Sequence, residues 1–468
     1  MPNFFRRVVR HKAIALPFAC SLLLAACAGP DVRVTNAPLA LTTGSIVPSS
    51  PSPASDETDD TAIVLAFSGG GSRSAAFGYG VLSELAQQAS PATSPARRTL
   101  ADEVAVVSGV SGGAVLAAHF ALYGPDGLPA FRQSFLGQDV EAALHTTLTP
   151  ANLLRGYQGG VNDLSGFPSW LDTHLFRGAT LGTVSHPDRP RLIIHATDLY
   201  NRTPFIFDRP SFSAICSRHD DYPLAYAVAA SAAVPIIFAP ITLRNYNAAC
   251  PVANEPRSPR TRHAHASLTE QYYRESIARY RTATDLNYLK LYDGGLVDGI
   301  GTQSLLHLMS RPSPEPLPEA KARRIKHLLF IVVDASTRIG GNVSQTAAAP
   351  DAKETVIGAV DALINIPSLQ SYDMLRRRLP IWRDEIVRWR CQGAPRCQDL
   401  DVGLVRIALS DITEPTVAQR ILTLHNRLTL QSEDVDFIAA LGRRLLREQP
   451  GYRRFLSRLR RDFRRSES

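Results

Sequence analysis

The stretch Ala105-Val106-Val107-Ser108-Gly109-Val110-Ser111-Gly112-Gly113-Ala114-Val115-Leu116-Ala117-Ala118-His119 reads as strand, tight turn and helix. An apolar run ends at Ser108, G-x-S-x-G follows, and small and aliphatic residues then recur at helical spacing. A serine on so sharp a turn is pushed out of the sheet, and glycines tolerate the dihedrals and close backbone approach around it. Ser111 would then stand at a helix N-terminus, where free N–H groups and the helix dipole favour developing negative charge. Alone, the pattern fits an ordinary glycine-rich turn between strand and helix equally well. Its meaning rests on what surrounds it.

Upstream, residues 62–67 form a short apolar run of the kind expected for a buried parallel strand. It leads into Ser68-Gly69-Gly70-Gly71-Ser72-Arg73 and a helical segment over 74–88. The glycine spacing is not G-x-G-x-x-G and no Walker lysine follows, so a nucleotide-phosphate loop is a weak reading. Two strand–helix units about 40 residues apart belong to one parallel sheet. Downstream, 191–197 reads as a strand ending at Asp198, 204–208 as a strand pairing nearby, and 328–333 as another strand. Residues 122–183 lack sustained periodicity and read as loops or a lid. A small-residue helix within 226–240 is stopped by Pro235. Residues 257–284 read as a polar surface insertion with a helix at 268–280, and a strand at 288–292 leads into Asp293-Gly294-Gly295-Leu296-Val297-Asp298. Beyond about residue 340 the pattern is mostly helical, at 356–364, 368–389 and 432–447, with a short strand at 403–409. The fold class expected is α/β, three layers with a mainly parallel central sheet flanked by helices, plus a helical C-terminal extension.

The N-terminal residues set the expected compartment. Arg6, Arg7, Arg10 and Lys12 precede an apolar stretch at 13–26 of signal-peptide length, short for a membrane span. It ends in Leu24-Ala25-Ala26-Cys27, which resembles the lipobox of bacterial lipoproteins and makes Cys27 the expected lipidated N-terminus; ordinary secretory cleavage is the alternative. Ala28 in place of an aspartate favours the outer membrane. Without those four cations the formal charge of +8 falls to about +4, a surplus that does not imply nucleic acid. Residues 28–60, rich in Ser, Pro, Thr and Ala, read as a tether. The expected organisation is a signal peptide at 1–26, lipidated N-terminus and tether at 27–60, catalytic domain at 61–340 and extension at 341–468. Cys20 leaves with the signal and Cys27 carries lipid, so four cysteines remain for pairing and allow three pairings. The turn-rich loop between Cys391 and Cys397 favours that bond, leaving Cys216 with Cys250. Neither spacing nor neighbouring histidines form a metal pattern.

Three signals therefore stand in order: Gly69-Gly70-Gly71-Ser72-Arg73, then Gly109-Val110-Ser111-Gly112-Gly113, then Asp293-Gly294-Gly295. With Ala230-Ser231-Ala232-Ala233-Val234-Pro235 between the last two, this arrangement resembles the patatin-like phospholipase family over residues 61–333. The resemblance implies Ser111 as nucleophile, Asp293 as proton acceptor with no histidine, and an oxyanion hole from Gly70, Gly71 and Arg73; Arg73 adds charge near that oxygen or the lipid phosphate, the alternative being a structural pairing with a carboxylate on a neighbouring helix. It implies a phospholipid or other lipid ester as substrate and no cofactor. Ser74 stands where the family usually has a further glycine. A Ser-His-Asp triad is the rival mechanism, since His119, His145, His174, His195 and His307 all follow the elbow; His119 and His195 read as structural, as do Asp198 and Asp298. A non-catalytic lipid-binding protein on the same fold, or an acyltransferase sharing the covalent intermediate, are the alternative functions. Finally, residues 441–468 carry ten arginines interleaved with apolar residues. Such a tail fits an anionic membrane surface or a terminal helix packed on the domain.

Overall fold

Strand β1 (Thr61–Phe67) is apolar along its whole length because both its faces are covered. Ile63, Leu65 and Phe67 join one core and Ala62, Val64 and Ala66 the other. The structure, a computed structural model, describes residues 33–39, 60–90, 98–144, 149–157, 159–186, 188–250, 267–337, 347–350, 352–392, 397–424 and 428–466. The other strands are β2 (Val104–Gly109), β3 (Arg191–Asp198), β4 (Thr203–Ile206), β5 (Ile241–Arg244), β6 (Tyr288–Tyr292), β7 (His327–Asp334) and β8 (Asp401–Ala408). They form one sheet in the order β5-β6-β3-β2-β1-β7-β8, with β4 against β3. β3, β2, β1, β7 and β8 are parallel, whereas β4, β6 and β5 join through antiparallel pairings.

The principal helices in chain order are α1 (Gly71–Gln87), α2 (Gly112–Tyr123), α3 (Pro150–Tyr157), α4 (Leu224–Ser231), α5 (Leu268–Thr282), α6 (Thr302–Met309), α7 (Ala352–Cys391), α8 (Ser432–Glu448) and α9 (Pro450–Ser466). On one face of the sheet, Phe77 and Leu82 of α1, Leu116 of α2 and Ile438 of α8 pack together. On the other, Leu305 of α6 packs with Leu375, Leu379 and Trp382 of α7. The chain is thus a three-layer α/β fold with a helical C-terminal region.

Several expectations change. The segment at 122–183, read as loops or a lid, contributes Phe131, Phe135, Phe167 and Phe176 to the core through short helical turns. Residues 356–364 and 368–389 form one helix, α7, that runs through Pro367 and Pro380. Proline normally breaks a helix, but here packing on both sides of Pro367 holds the halves in line: Ile364 lies against Gly299, and Ser368 accepts the Gly299 N–H at 3.0 Å. The helical C-terminal region packs on the core, where β8 extends the central sheet and α8 crosses α1 with Gly80 against the Ala439 carbonyl. A side chain at Gly80 would overlap that carbonyl. The basic tail is the packed helix α9, whose Tyr452, Phe455 and Leu459 are buried while Arg453, Arg454, Arg460 and Arg461 face solvent. It runs toward the starts of β7 and β8, where Asp462 meets His327 and Arg458 meets Asp401.

Part of the expected tether is also built in. β5 is an edge strand, and an edge exposes unpaired N–H and C=O groups. Residues 33–39 cover it: Val34 bridges Thr242 in parallel, and Thr35 N–H donates to the Thr242 carbonyl at 3.1 Å. The Asn36 amide imitates a peptide group, donating to the Arg244 carbonyl at 2.9 Å and accepting the Arg244 N–H at 2.8 Å. It also donates to Ser217 Oγ at 2.9 Å. Composition concealed this, since few apolar groups are buried and the pairing is through backbone and amide. Next to it Cys216 is joined to Cys250, with Cα atoms 6.1 Å apart, and Cys391 is joined to Cys397 at 5.0 Å. Cys27 and most of the tether lie outside the described residues. Asn36→Ala should lower unfolding stability by about 1–3 kcal/mol through its orphaned partners. Limited proteolysis should then cut before residue 60 faster than in the parent.

Candidate active site

Strands β1 and β2 end side by side, Phe67 beside Gly109, while β3 pairs Ile194 with Gly109 and runs on to Asp198. The chain leaves β2 through Ser111 at φ 52° and ψ −123°, a region unfavourable to a residue with a Cβ. Contacts on each side hold it there. Gly112 is pressed against the Gly71 carbonyl, leaving no room for a side chain, and Gly69 lies against the Ser111 Cβ. The G-x-S-x-G and triple-glycine loops are therefore one packed unit.

Gly69 N–H is committed to the Gly299 carbonyl at 2.8 Å. The N–H groups of Gly70, Gly71 and Gly112 have no hydrogen-bond acceptor among the described residues. Gly70 and Gly71 carry φ values of 125° and 60°, which glycine supplies without strain. Gly112 was not singled out from the sequence, although the residue after an elbow nucleophile is the position from which a backbone donor is expected.

Arg73 is held by backbone carbonyls beside the glycine loop. It is buried at the start of α1, its Nε donating to the Ala335 carbonyl at 3.1 Å and its Nη1 to the Leu424 carbonyl at 3.2 Å. Its guanidinium thus ties the loop to the end of β7 and to the C-terminal region, with Nη2 lying against Gly70. Ser72 donates to the Leu428 carbonyl in the same way. Ser74, at the position of the expected glycine, donates to the Ser68 carbonyl. The Ser68 hydroxyl in turn accepts the Ala335 N–H at 2.8 Å. The extra hydroxyl braces the loop.

Asp293 follows β6 directly and is buried. Its N–H donates to the Ala233 carbonyl at 2.9 Å, and its carbonyl accepts the Thr197 hydroxyl at 2.7 Å. Burial pushes its carboxyl up to about 6, opposed by the Gly295 N–H, 2.7 Å from Oδ1, and by the Ser111 hydroxyl. A carboxylate of that basicity is suited to proton transfer near neutral pH. The structure thus brings Ser111, Asp293, Gly70 and Gly71 together, and Gly109, Gly113, Gly294 and Gly295 shape the two turns that carry Ser111 and Asp293.

A residue the sequence reading left inside a motif links the two turns. Ser231, fully buried at the end of α4, accepts the Ser111 N–H on its hydroxyl at 3.1 Å and the Gly294 N–H on its carbonyl at 3.0 Å. Its signal was its place between small residues.

Among the described residues no histidine bonds to Ser111. His195 lies behind the aspartate turn, Nε2 3.3 Å from the Gly294 carbonyl, and burial lowers its pKa. His119 is enclosed by Tyr123 and Phe131, and burial lowers it to about 4. His307 stacks on Tyr273, and His174 stacks on Trp170. His145 lies outside the described residues. Asp298 accepts first-turn N–H groups of α6, with Gln303 N at 2.6 Å, and Asp198 accepts from Tyr280 at 2.9 Å and Asn201 at 2.7 Å. No group of three or more His, Cys, Asp or Glu among the described residues is disposed to hold a metal ion. A cavity of about 1380 Å³ opens at the opposite end of the sheet, beside Val104 and Arg191, and includes none of the motif residues.

An elbow serine, a buried carboxyl and glycine N–H groups without acceptors among the described residues thus meet on a mainly parallel sheet. The chain belongs to the patatin-like phospholipase family, whose model matches residues 65–306. Among solved structures it is similar to human GIVD cytosolic phospholipase A2, at 13% identity and a TM-score of 0.42. The match covers 88% of this chain and 61% of that one. The complex of that human enzyme with methyl gamma-linolenyl fluorophosphonate aligns at 14% identity and a TM-score of 0.38, covering 88% and 60%. The chain thus spans less than two thirds of these proteins. No curated protein matches it significantly.

Ser231→Ala leaves the Ser111 N–H without its acceptor, at a cost of about 1–3 kcal/mol. Thermal unfolding should detect that loss, and the second-order rate of Ser111 labelling by a fluorophosphonate should fall about tenfold or more. Asp293→Asn should act oppositely on stability. The folded-state pKa exceeds the unfolded one, so ionisation opposes folding. That penalty is absent below about pH 4 and complete above about pH 6, at up to roughly 3 kcal/mol. The substitution should therefore raise the melting temperature at pH 7.5 and leave it nearly unchanged at pH 4.

Proposed function

We propose that this chain hydrolyses carboxylic esters of lipids, as a phospholipase A or lysophospholipase, with Ser111 and Asp293 as a catalytic dyad. The observation that carries the reading is geometric: the elbow serine and the turn of the buried Asp293 are joined through Ser231, beside backbone donors without acceptors among the described residues, and burial raises the Asp293 carboxyl to about 6. Ser111 Oγ attacks the acyl carbonyl carbon as its proton passes to Asp293. The carbonyl oxygen becomes an oxyanion held by N–H groups of Gly70, Gly71 and Gly112. Collapse of the intermediate breaks the ester bond, and Asp293 returns the proton to the leaving alkoxide oxygen. Water then attacks the acyl-enzyme, giving its proton to Asp293, which returns it to Ser111 as the fatty acid departs. The residues require no cofactor for these steps.

The same proposal places the protein in a bacterial envelope, anchored through lipidated Cys27 and facing an outer-membrane surface. The lipobox-like ending at Cys27 supports this, and mass spectrometry of the mature N-terminus tests it: an unmodified terminus would overturn the anchor. The arginine-bearing tail is not assigned the membrane contact. The apolar side of α9 is packed on the domain, and its basic end lies at the starts of the strands, opposite Ser111.

The chain should release fatty acid from phospholipid vesicles and cleave a short-chain fluorogenic ester. Ser111→Ala and Asp293→Asn, each with a verified fold, should lower both rates by at least about 10³-fold. In the parent kcat/KM should fall as pH drops through about 6, because the protonated carboxyl cannot accept the serine proton. Equal activity in all three proteins would remove the assignment.

A further inference from the structure

Strained backbone lies three residues beyond the carbonyl that holds Asp293. Ile236 has φ 74°, a conformation that β-branched side chains avoid and that persists only where surrounding structure enforces it. The Val161 N–H binds the Ile236 carbonyl at 3.1 Å, and the Phe238 N–H binds the Val234 carbonyl at 2.9 Å. The turn exposes two adjacent isoleucines, Ile236 at 57% and Ile237 at 45%. Gly156 of α3 lies against Ile236, and the same short helix exposes Leu154 and Tyr157, the latter at 91%. Across the aspartate turn, Ile364 of α7 packs on Gly295, while Leu363 and Ile366 beside it are 63% and 57% exposed. Six apolar side chains from three distant segments therefore flank the turn that carries Asp293. Residues 230–240 and 362–370 contain no charged side chain, and Arg155 is paired with Asp163 at 2.9 Å.

We infer that this rim seats the protein on a lipid bilayer, its apolar side chains entering the boundary between headgroups and acyl chains so that an ester reaches Ser111 from the membrane. The inference rests on the lipid-ester reading of the site. The course of the N-terminal segment selects a bilayer as occupant. Val34 bridges Thr242 in parallel, so Arg33 enters beside Ile241, directly after the turn that exposes Ile236 and Ile237. Cys27 is six residues upstream of Arg33, a chain length that spans at most about 20 Å. An anchor there holds this side of the molecule close to the membrane. Charge separates the rim from α9. An uncharged rim enters zwitterionic lipid, whereas an arginine face requires anionic lipid.

The test uses the full chain carrying Ser111→Ala, so that vesicles are not consumed and the outcome does not depend on catalysis. Tyr157→Trp and Ile237→Trp are made separately and mixed with phosphatidylcholine vesicles brominated in the acyl chains. Each added tryptophan should be quenched beyond the signal of Trp170, Trp382 and Trp389 in the same chain without it. Absence of extra quenching at both positions, or quenching only when anionic lipid is added, overturns the proposal. In the active chain, the Tyr157→Ser, Leu363→Ser double variant should lose at least tenfold in rate on vesicles and stay within twofold on a monomeric short-chain ester. Equal loss on both substrates overturns the rim. Ile236→Asn, which relieves the backbone strain, should keep or raise the melting temperature while lowering vesicle hydrolysis; a lower melting temperature identifies the isoleucine as structural and counts against docking. Concentration-dependent dimerisation abolished by the double variant, with vesicle quenching absent, assigns the surface to a second copy instead. If the parent cleaves neither ester but both tryptophans are quenched, the hydrolase reading fails and the docking surface stands.

Discussion

The backbone at Ser111 is held in a conformation that costs of order 1–3 kcal/mol, and much of the fold serves to hold it. Release of the strain would let the serine fall back toward the sheet. Gly112 against the Gly71 carbonyl closes one side of the turn, and the Ser231 hydroxyl closes the other by taking the Ser111 N–H. Because Ser231 also binds Gly294 through its carbonyl, the elbow and the aspartate turn are set by a single buried residue. The pair is thereby positioned by α4, an element that belongs to neither turn.

Burial of Asp293 is the second constraint. Removing a carboxyl from water raises its pKa, which makes it a usable base near neutrality and makes its ionised form unfavourable in the folded state. The Gly295 N–H and the Ser111 hydroxyl partly offset this. The C-terminal region belongs to the same arrangement. Arg73 and Ser72 fasten the glycine-rich loop to carbonyls at Leu424 and Leu428, so the geometry of the Gly70 and Gly71 donors depends on residues more than 350 positions away. The family match at residues 65–306 ends before these partners, which are nevertheless part of the same folded unit.

Residues 61–333 were legible because their signals are local. An apolar run bounded by glycines identifies a buried strand, and G-x-S-x-G identifies a strand-to-helix turn, without knowledge of any distant contact. The order of three such signals was enough to align Ser111, Asp293 and the glycine loop with a known family. The carbonyl partners of Arg73 were not legible, because an arginine beside a glycine loop carries the same local signal whether it faces a ligand or a pair of carbonyls. Ser231 and the Gly112 N–H were not selected, since what distinguishes them is a partner across space. Residues 33–39 were read as tether because their pairing to β5 uses backbone and one amide, which leave no apolar pattern.

By itself, then, the sequence determined the α/β class, the order of the three family motifs and the chemistry their side chains can perform, since these follow from short-range spacing and side-chain identity. Tertiary structure alone decided that Asp293 is buried, that Arg73 binds two distant carbonyls, that α9 spends its apolar side on packing and that six exposed apolar residues lie on segments that meet around one turn. Each of those depends on which distant surfaces meet, and burial and strain arise only when they do.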